Sequence, residues 1–259
     1  MSEQNRIRVF LVDDVQELRL LVKIALEEDP EIEVVGEASN GREGVAGVAE
    51  AKPDVVLLDL SMPDMDGLEA IPLMRKEAPE ARVVVLSGHE AGRVSLQALD
   101  QGATRYLNKA ADFEAIRYTV HEVARMEAPF TDERFSIVHR MWSAYLNGMI
   151  DALLDELDQD VIWHPHPGFG RELHSQQEAR DCLKEAWAAG KMMDPRAYGV
   201  EPSGPGLIVL GTLEMWGEDG RSETPVHWAF CFRGAKVALA VGVDARDQAV
   251  ELLKDRCAA

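Results

Sequence analysis

The sequence predicts two domains: an α/β domain on a doubly wound, five-stranded parallel sheet, then an α+β domain with an antiparallel sheet. Three observations carry this. The chain has 259 residues, room for two cores at about 100–200 residues each. In the first half, short apolar runs alternate with amphipathic stretches of helix length, the pattern of βαβ units whose sheet is covered on both sides. In the second half helices come first and strands last, with turn signals between consecutive strands.

The first-half runs fall at 7–12, 32–38, 55–58, 83–86 and 104–107 and read as strands. Between the first two, Leu18, Leu21, Val22 and Ala25 keep the i, i+3, i+4, i+7 spacing of one helix face. Residues 127–133, Glu-Ala-Pro-Phe-Thr-Asp-Glu, mark the junction: Pro129 ends one helix, and Thr131 or Asp132 can cap the next. The expected domains are therefore 1–127 and 135–259, with a linker at 128–134. The second domain reads as a long helical pattern at 132–157, a strand at 160–164, a Pro/Gly-rich loop at 164–168 and a helix at 176–189. Strands near 196–201, 206–216, 223–233 and 235–243 follow, with a last helix near 245–254. Gly217-Glu-Asp-Gly220 and Arg233-Gly234 supply turns.

Charge narrows the function. With 27 basic and 46 acidic side chains the net charge is −19. Residues 1–128 carry 14 and 25, a balance of −11, and residues 129–259 carry 13 and 21, a balance of −8. Neither half has the positive excess that neutralises nucleic-acid phosphates, so no nucleic-acid partner is expected. No apolar run approaches the ~20 residues of a membrane span, and no membrane partner is expected. The apolar stretch behind Met1 is too short for a secretory signal. Cys182, Cys231 and Cys257 are scattered and suggest neither a disulfide framework nor a metal cluster, which fits a reducing cytoplasm.

In an open α/β sheet, ligands gather at the carboxyl ends of the strands. Those ends carry Asp13 and Asp14 after the first strand, Asp59 after the third, Ser87 after the fourth and Lys109 after the fifth. Clustered carboxylates repel unless a hard cation sits among them, and oxygen ligands suit Mg²⁺. An ammonium and a hydroxyl can hold the remaining oxygens of a phosphoryl group arriving at a carboxylate. The chemistry indicated is phosphoryl transfer onto an aspartate.

Four segments then give a resemblance: Val12-Asp13-Asp14, the run 57–67 (Leu-Leu-Asp-Leu-Ser-Met-Pro-Asp-Met-Asp-Gly), Leu86-Ser87-Gly88, and the run 102–109 (Gly-Ala-Thr-Arg-Tyr-Leu-Asn-Lys). Residues 6–126 resemble the receiver domain of two-component response regulators, a flavodoxin-like fold. The resemblance implies that Asp59 is the phosphoacceptor, attacking the phosphohistidine of a sensor histidine kinase. It also implies that Asp14, Asp59 and the backbone carbonyl of Ser61 bind Mg²⁺, with Asp13 acting largely through water. Lys109 would pair with the phosphoryl oxygens, Ser87 would hydrogen-bond one of them, and Tyr106 would be the switch aromatic. Ser61 and His89 would flank the path of hydrolytic water. One departure stands out: Ala110 follows the lysine where many receivers have proline.

The second half lacks a pair of short helices near its C-terminus. It resembles instead the SnoaL-like (nuclear transport factor-two-like) α+β cone, a curved antiparallel sheet wrapped around a helix. The resemblance rests on the run 141–150 entering a helix pair, the run 158–163, the run 227–234, and a closing strand into Asp244. It implies an open pocket that takes a small apolar ligand, or a dimerisation module. The candidate pocket residues are Trp163, His164, Glu214, Trp216, His227 and Trp228, with His166, Trp187 and Tyr198 beside them. Alternation separates Trp228 and Phe230 from His227, Ala229 and Cys231 and leaves open which face lines the pocket. The expectation is a phosphorylation-controlled regulator with a non-DNA-binding output, homodimeric through either domain. The alternative is a receiver-gated isomerase or cyclase using His227 with Glu214 or Asp244 as acid and base; the plainer reading makes these residues packing.

Overall fold

The computed structural model describes residues 6–88, 92–126, 133–164, 171–189, 193–217 and 220–257. The chain divides into two compact units, Met1–Thr131 and Asp132–Ala259. Most of the expected linker, and with it the proposed caps Thr131 and Asp132, lies outside the described residues.

In the first unit five strands, β1 (Ile7–Val12), β2 (Ile32–Ala38), β3 (Val55–Leu58), β4 (Arg82–Ser87) and β5 (Arg105–Asn108), alternate with five helices. All strand pairs are parallel, in the order β2-β1-β3-β4-β5. The helices are α1 (Gln16–Glu27), α2 (Gly41–Ala51), α3 (Gly67–Glu77), α4 (Arg93–Asp100) and α5 (Phe113–Ala124). Strand alternation divides the core. Val9, Leu11, Val55 and Leu57 pack against Val22 and Leu26 of α1 and Ile116 and Val120 of α5. On the opposite face, Phe10 and Val12 approach α2 so closely that glycine is required there: a Cβ on Gly47 would lie 2.3 Å from the Phe10 ring. Asn40, Asp66 and Asp112 each accept a backbone N–H from the first turn of α2, α3 and α5, which fixes where those helices begin.

The second unit opens with α6 (Glu133–Leu146) and α7 (Ile150–Asp155). The helical pattern of 132–157 is interrupted there, since Gly148 takes φ +72° and the chain breaks into α6 and α7. Asn147-Gly148 is a turn signal inside a helical period, and the turn prevails. Then come β6 (Leu157–His164), α8 (Gln176–Ala188), β7 (Met193–Ser203), β8 (Gly206–Gly217), β9 (Gly220–Arg233), β10 (Lys236–Val243) and α9 (Arg246–Arg256). Strands β7 to β10 form an antiparallel meander, as the turn signals predict. The sheet is not wholly antiparallel, however: β6 pairs parallel to β10 at its edge. Among the described residues no helix is long and apolar enough to cross a membrane.

The expectation that the cysteines stay unpaired is corrected. Cys231 of β9 and Cys257, at the end of α9, form a disulfide with Cα atoms 5.6 Å apart, while Cys182 is free. The pairing depends on α9 folding back across β9, which spacing along the chain does not reveal.

Candidate functional site

The carboxyl ends of β1, β3, β4 and β5 bring the charged groups of the first unit together. Asp59 is placed by its own backbone N–H, which donates to the Val12 carbonyl at 2.8 Å, and Lys109 by its N–H on the Ser87 carbonyl at 2.8 Å. Gly67 then admits α3: a Cβ there would lie 2.3 Å from the Asp59 carbonyl oxygen, so no larger residue allows the 59–67 loop to close so tightly. Its N–H donates to the Leu60 carbonyl at 3.0 Å.

The Lys109 ammonium sits 2.7 Å from Asp13 Oδ2 and 2.9 Å from Asp59 Oδ2. Burial alone would lower its pKa, but the hydrogen bonds and charges of these two carboxylates outweigh that and raise it. Asp13 Oδ1 accepts the Val15 N–H at 2.8 Å, so both Asp13 oxygens are engaged. Asp59 is only 3% exposed, and its buried Oδ1 has no hydrogen-bond partner among the described residues. A buried, unmatched carboxylate oxygen is costly. Asp14 is exposed beside it, and carboxylate oxygens of Asp13, Asp14 and Asp59 lie within 4.8 Å of one another. All-oxygen donors with an orphaned carboxylate oxygen fit a hard divalent cation. Ser61 is exposed in the same loop.

Ser87 is fully buried and shares a hydrogen bond with the hydroxyl of Tyr106, itself 2% exposed. Burial raises the Tyr106 pKa, the Ser87 hydrogen bond opposes that, and the Asp59 charge adds to the rise. Tyr106, expected as the switch aromatic, is thus already inside, its hydroxyl bonded to that of Ser87. His89 lies outside the described residues.

The second-unit candidates do not form one site. Cross-strand pairing places Trp228 on one face of the sheet with Val209, and His227 on the other with Leu210. Trp163 pairs with Ala240, on the Trp228 side, and His164 with Val241 on the opposite side. Glu214 follows the His227 face. It is buried against the Arg196 guanidinium, 2.5 Å away. Burial lowers the His227 pKa; the Glu201 charge opposes this, and Arg246 reinforces it. Tyr198 packs into the apolar cluster under α9. The side chain of Trp216, and His166 altogether, lie outside the described residues.

On the Trp163–Trp228 face lies an apolar cavity, partly open to solvent. The sequence reading overlooked the α6 side of its wall, Met141, Trp142 and Tyr145. With Val138 these keep i, i+3, i+4, i+7 spacing, a signal that was legible. Trp142 meets Trp228 edge-on with ring centroids 4.8 Å apart. Tyr145 accepts the Met193 N–H at 3.0 Å, and its ring lies 5.7 Å from Trp187. No carboxylate, imidazole, ammonium or guanidinium lines the cavity among the described residues.

This crevice of acids, hydroxyl and lysine on a parallel five-stranded sheet defines a receiver, and residues 9–121 match the family described as "Response regulator receiver domain". The N-terminal unit is a response regulator receiver domain. Receiver domains bind Mg²⁺ at the acidic pocket formed here by Asp13, Asp14 and Asp59. Among similar proteins, the response regulator protein VraR of Staphylococcus aureus is 36% identical over 127 residues, 49% of this chain and 61% of that protein. The chain thus spans about 61% of the length of the curated relatives it matches. The receiver domain of the putative response regulator NarL from Mycobacterium tuberculosis is 34% identical, covering 47% of this chain and 98% of that one at a TM-score of 0.45. A DNA-binding response regulator of the LuxR family from Staphylococcus aureus is 23% identical, covering 46% and 99% at a TM-score of 0.44. The family match leaves the second unit outside it.

Proposed function

We propose that this chain is a two-component response regulator in which Asp59 accepts a phosphoryl group from a sensor histidine kinase. The second unit serves as a SnoaL-like output that holds a small apolar ligand or dimerises, rather than reading DNA. One observation carries the first part: a buried Asp59 with one oxygen on Lys109 and the other unmatched, beside two further carboxylates.

In the transfer, an Asp59 oxygen attacks phosphorus, the phosphorus–nitrogen bond to the histidine breaks, and the imidazole leaves with the electron pair and gains a proton. Lys109 exchanges its contact with Asp59 for a phosphoryl oxygen. Ser87 donates its O–H to another while its oxygen can still accept from the Tyr106 hydroxyl, so phosphorylation re-weights the packing around Ser87 and Tyr106. Asp13, Asp14, Asp59 and the Ser61 carbonyl are the oxygen set for Mg²⁺, whose charge offsets repulsion between the carboxylates and the incoming group.

For the second unit, the apolar cavity wall supports binding over catalysis. An isomerase or cyclase needs an acid–base pair at the ligand, and His227 and Glu214 lie across the sheet from the cavity. The balance of −8 over residues 129–259 supports an output other than DNA.

The test is acetyl phosphate with Mg²⁺ on the full chain, read by intact mass. One phosphoryl adduct is expected, absent in Asp59→Asn and after chelation by EDTA. An unmodified protein, or equal labelling of Asp59→Asn, overturns the receiver assignment of Asp59. DNA retention that weakens steeply with salt overturns the output assignment.

A further inference from the structure

Helix α9 lies on its sheet through a small apolar face, Ala249 and Leu253 with the partly buried Val250 and Leu252 beside them. Of its side chains only Ala249 and Leu253 are buried. At its start, Arg246 Nε donates to Glu201 Oε2 at 2.7 Å. At its end Cys257 is bonded to Cys231 of β9, 26 residues earlier. The approach is close: a Cβ on Gly206 would lie 2.8 Å from Leu253 Cδ2 and 3.1 Å from the Cys257 sulfur. The strand side of the bond is fixed, since β9 is hydrogen-bonded to β8 and β10 along its length. The helix side is held by side-chain contacts alone, among them Arg256 on Glu172 at 3.0 Å.

Access is equally one-sided. Cys231 is 5% exposed within an apolar cluster of Ile208, Ala229 and Leu239, whereas Cys257 is half-buried at the helix end. An external thiolate therefore meets the Cys257 sulfur first, and access is a main determinant of thiol–disulfide exchange. The third thiol, Cys182, lines the cavity on the other face of the sheet.

We propose that Cys231–Cys257 is a redox-controlled latch on α9, opened by a dithiol reductant and closed by a small disulfide. One thiolate of the reductant attacks Cys257 Sγ; the bond to Cys231 breaks, and Cys231 leaves as a thiolate and gains a proton. The second thiolate of the reductant attacks the mixed disulfide, forms the reductant's own disulfide and releases Cys257 as a thiol. Two electrons and two protons pass from reductant to protein, and oxidised glutathione reverses the sequence. With the latch open, α9 keeps the apolar contacts of Ala249, Val250, Leu252 and Leu253 and the Arg246–Glu201 and Arg256–Glu172 ion pairs, and it detaches in a larger fraction of molecules.

The full chain, treated with oxidised glutathione or with dithiothreitol, is alkylated with iodoacetamide and mapped by mass spectrometry, and hydrogen exchange is followed over 246–256. In the oxidised sample only Cys182 is expected to alkylate. Reduction should accelerate exchange in α9 at least tenfold and leave β1 and β3 unchanged. Cys257→Ser should exchange like the reduced protein whatever the treatment, and Cys182→Ser should respond like wild type. The wild-type redox comparison stands even if Cys257→Ser does not fold. Full alkylation of Cys231 and Cys257 after glutathione treatment, or equal α9 exchange in both states, overturns the latch.

Discussion

The two units place their chemistry in opposite ways. In the receiver, ionisable groups converge where parallel strands end, and the sheet faces are given to helix packing: Asp13, Asp59 and Lys109 meet at the rim while Val9, Leu57 and their neighbours fill the layers. In the second unit the open space lies on a sheet face and is apolar, while Glu214, Glu201 and His227 are turned to the other side. A rim of charge suits a highly charged group that arrives, is held and leaves. A cavity walled by Trp142, Trp163 and Trp228 suits an uncharged guest, since a buried charge there would meet no partner. On the proposed reading, this difference separates a switching unit from a holding one within one chain.

The largest effect that would sharpen this contrast is expected from Trp228→Ala. Trp228 is buried against Trp142 and forms part of the cavity wall. Its truncation should destabilise the second unit by about 3–5 kcal/mol, measured by urea unfolding, and weaken binding of the neutral probe N-phenyl-1-naphthylamine. Acetyl phosphate should label Asp59 as before. A loss of labelling would break the separation of the units.

Gly67→Ala is the matching change in the receiver, with a smaller expected cost. The added methyl meets the Asp59 carbonyl oxygen 2.3 Å away, so backbone must move, at about 1–3 kcal/mol. Since the atom displaced belongs to Asp59, the proposed phosphoacceptor, the labelling rate should fall along with receiver stability while probe binding is retained. Unchanged labelling would mean that the 59–67 loop tolerates a shift its packing argues against.

Legibility in the sequence follows the same division. Asp13, Asp14, Asp59, Ser87 and Lys109 are readable because a parallel sheet aligns every strand end on one side, so position in the strand gives position in space. That Tyr106 is inward and bonded to Ser87 depends on side-chain packing, which the strand pattern does not encode. In the second unit, alternation separates Trp228 from His227 but cannot assign the faces, because both faces of β9 are apolar: Trp228 and Phe230 on one, Ala229 and Cys231 on the other. The assignment comes from which helix covers which face, α9 over Cys231 and α6 and α8 toward Trp228. The disulfide was hidden for the same reason. The break at Gly148, by contrast, was written in Asn147-Gly148 and obscured only by the periodicity around it.

The smallest effect is a pH dependence confined to the second unit. His227 is half-buried on the α9 face, near Glu201, Arg246 and the Asp244 backbone. Burial is the main cause that depresses its pKa below the ordinary 6.5, Arg246 adds to the depression, and Glu201 and a backbone hydrogen bond oppose it. The folded state therefore binds a proton less readily than the unfolded chain. Between the depressed value and 6.5 the unfolded state carries more protons, so stability rises with pH across that window. The contribution is complete above 6.5 and is lost as pH falls through the folded value. Acidification from pH about 7.5 to 5.5 should thus speed hydrogen exchange in β9 and β10 relative to β1 and β3, and His227→Gln should abolish the difference. Equal acid sensitivity in the variant would assign the effect to the surface carboxylates instead.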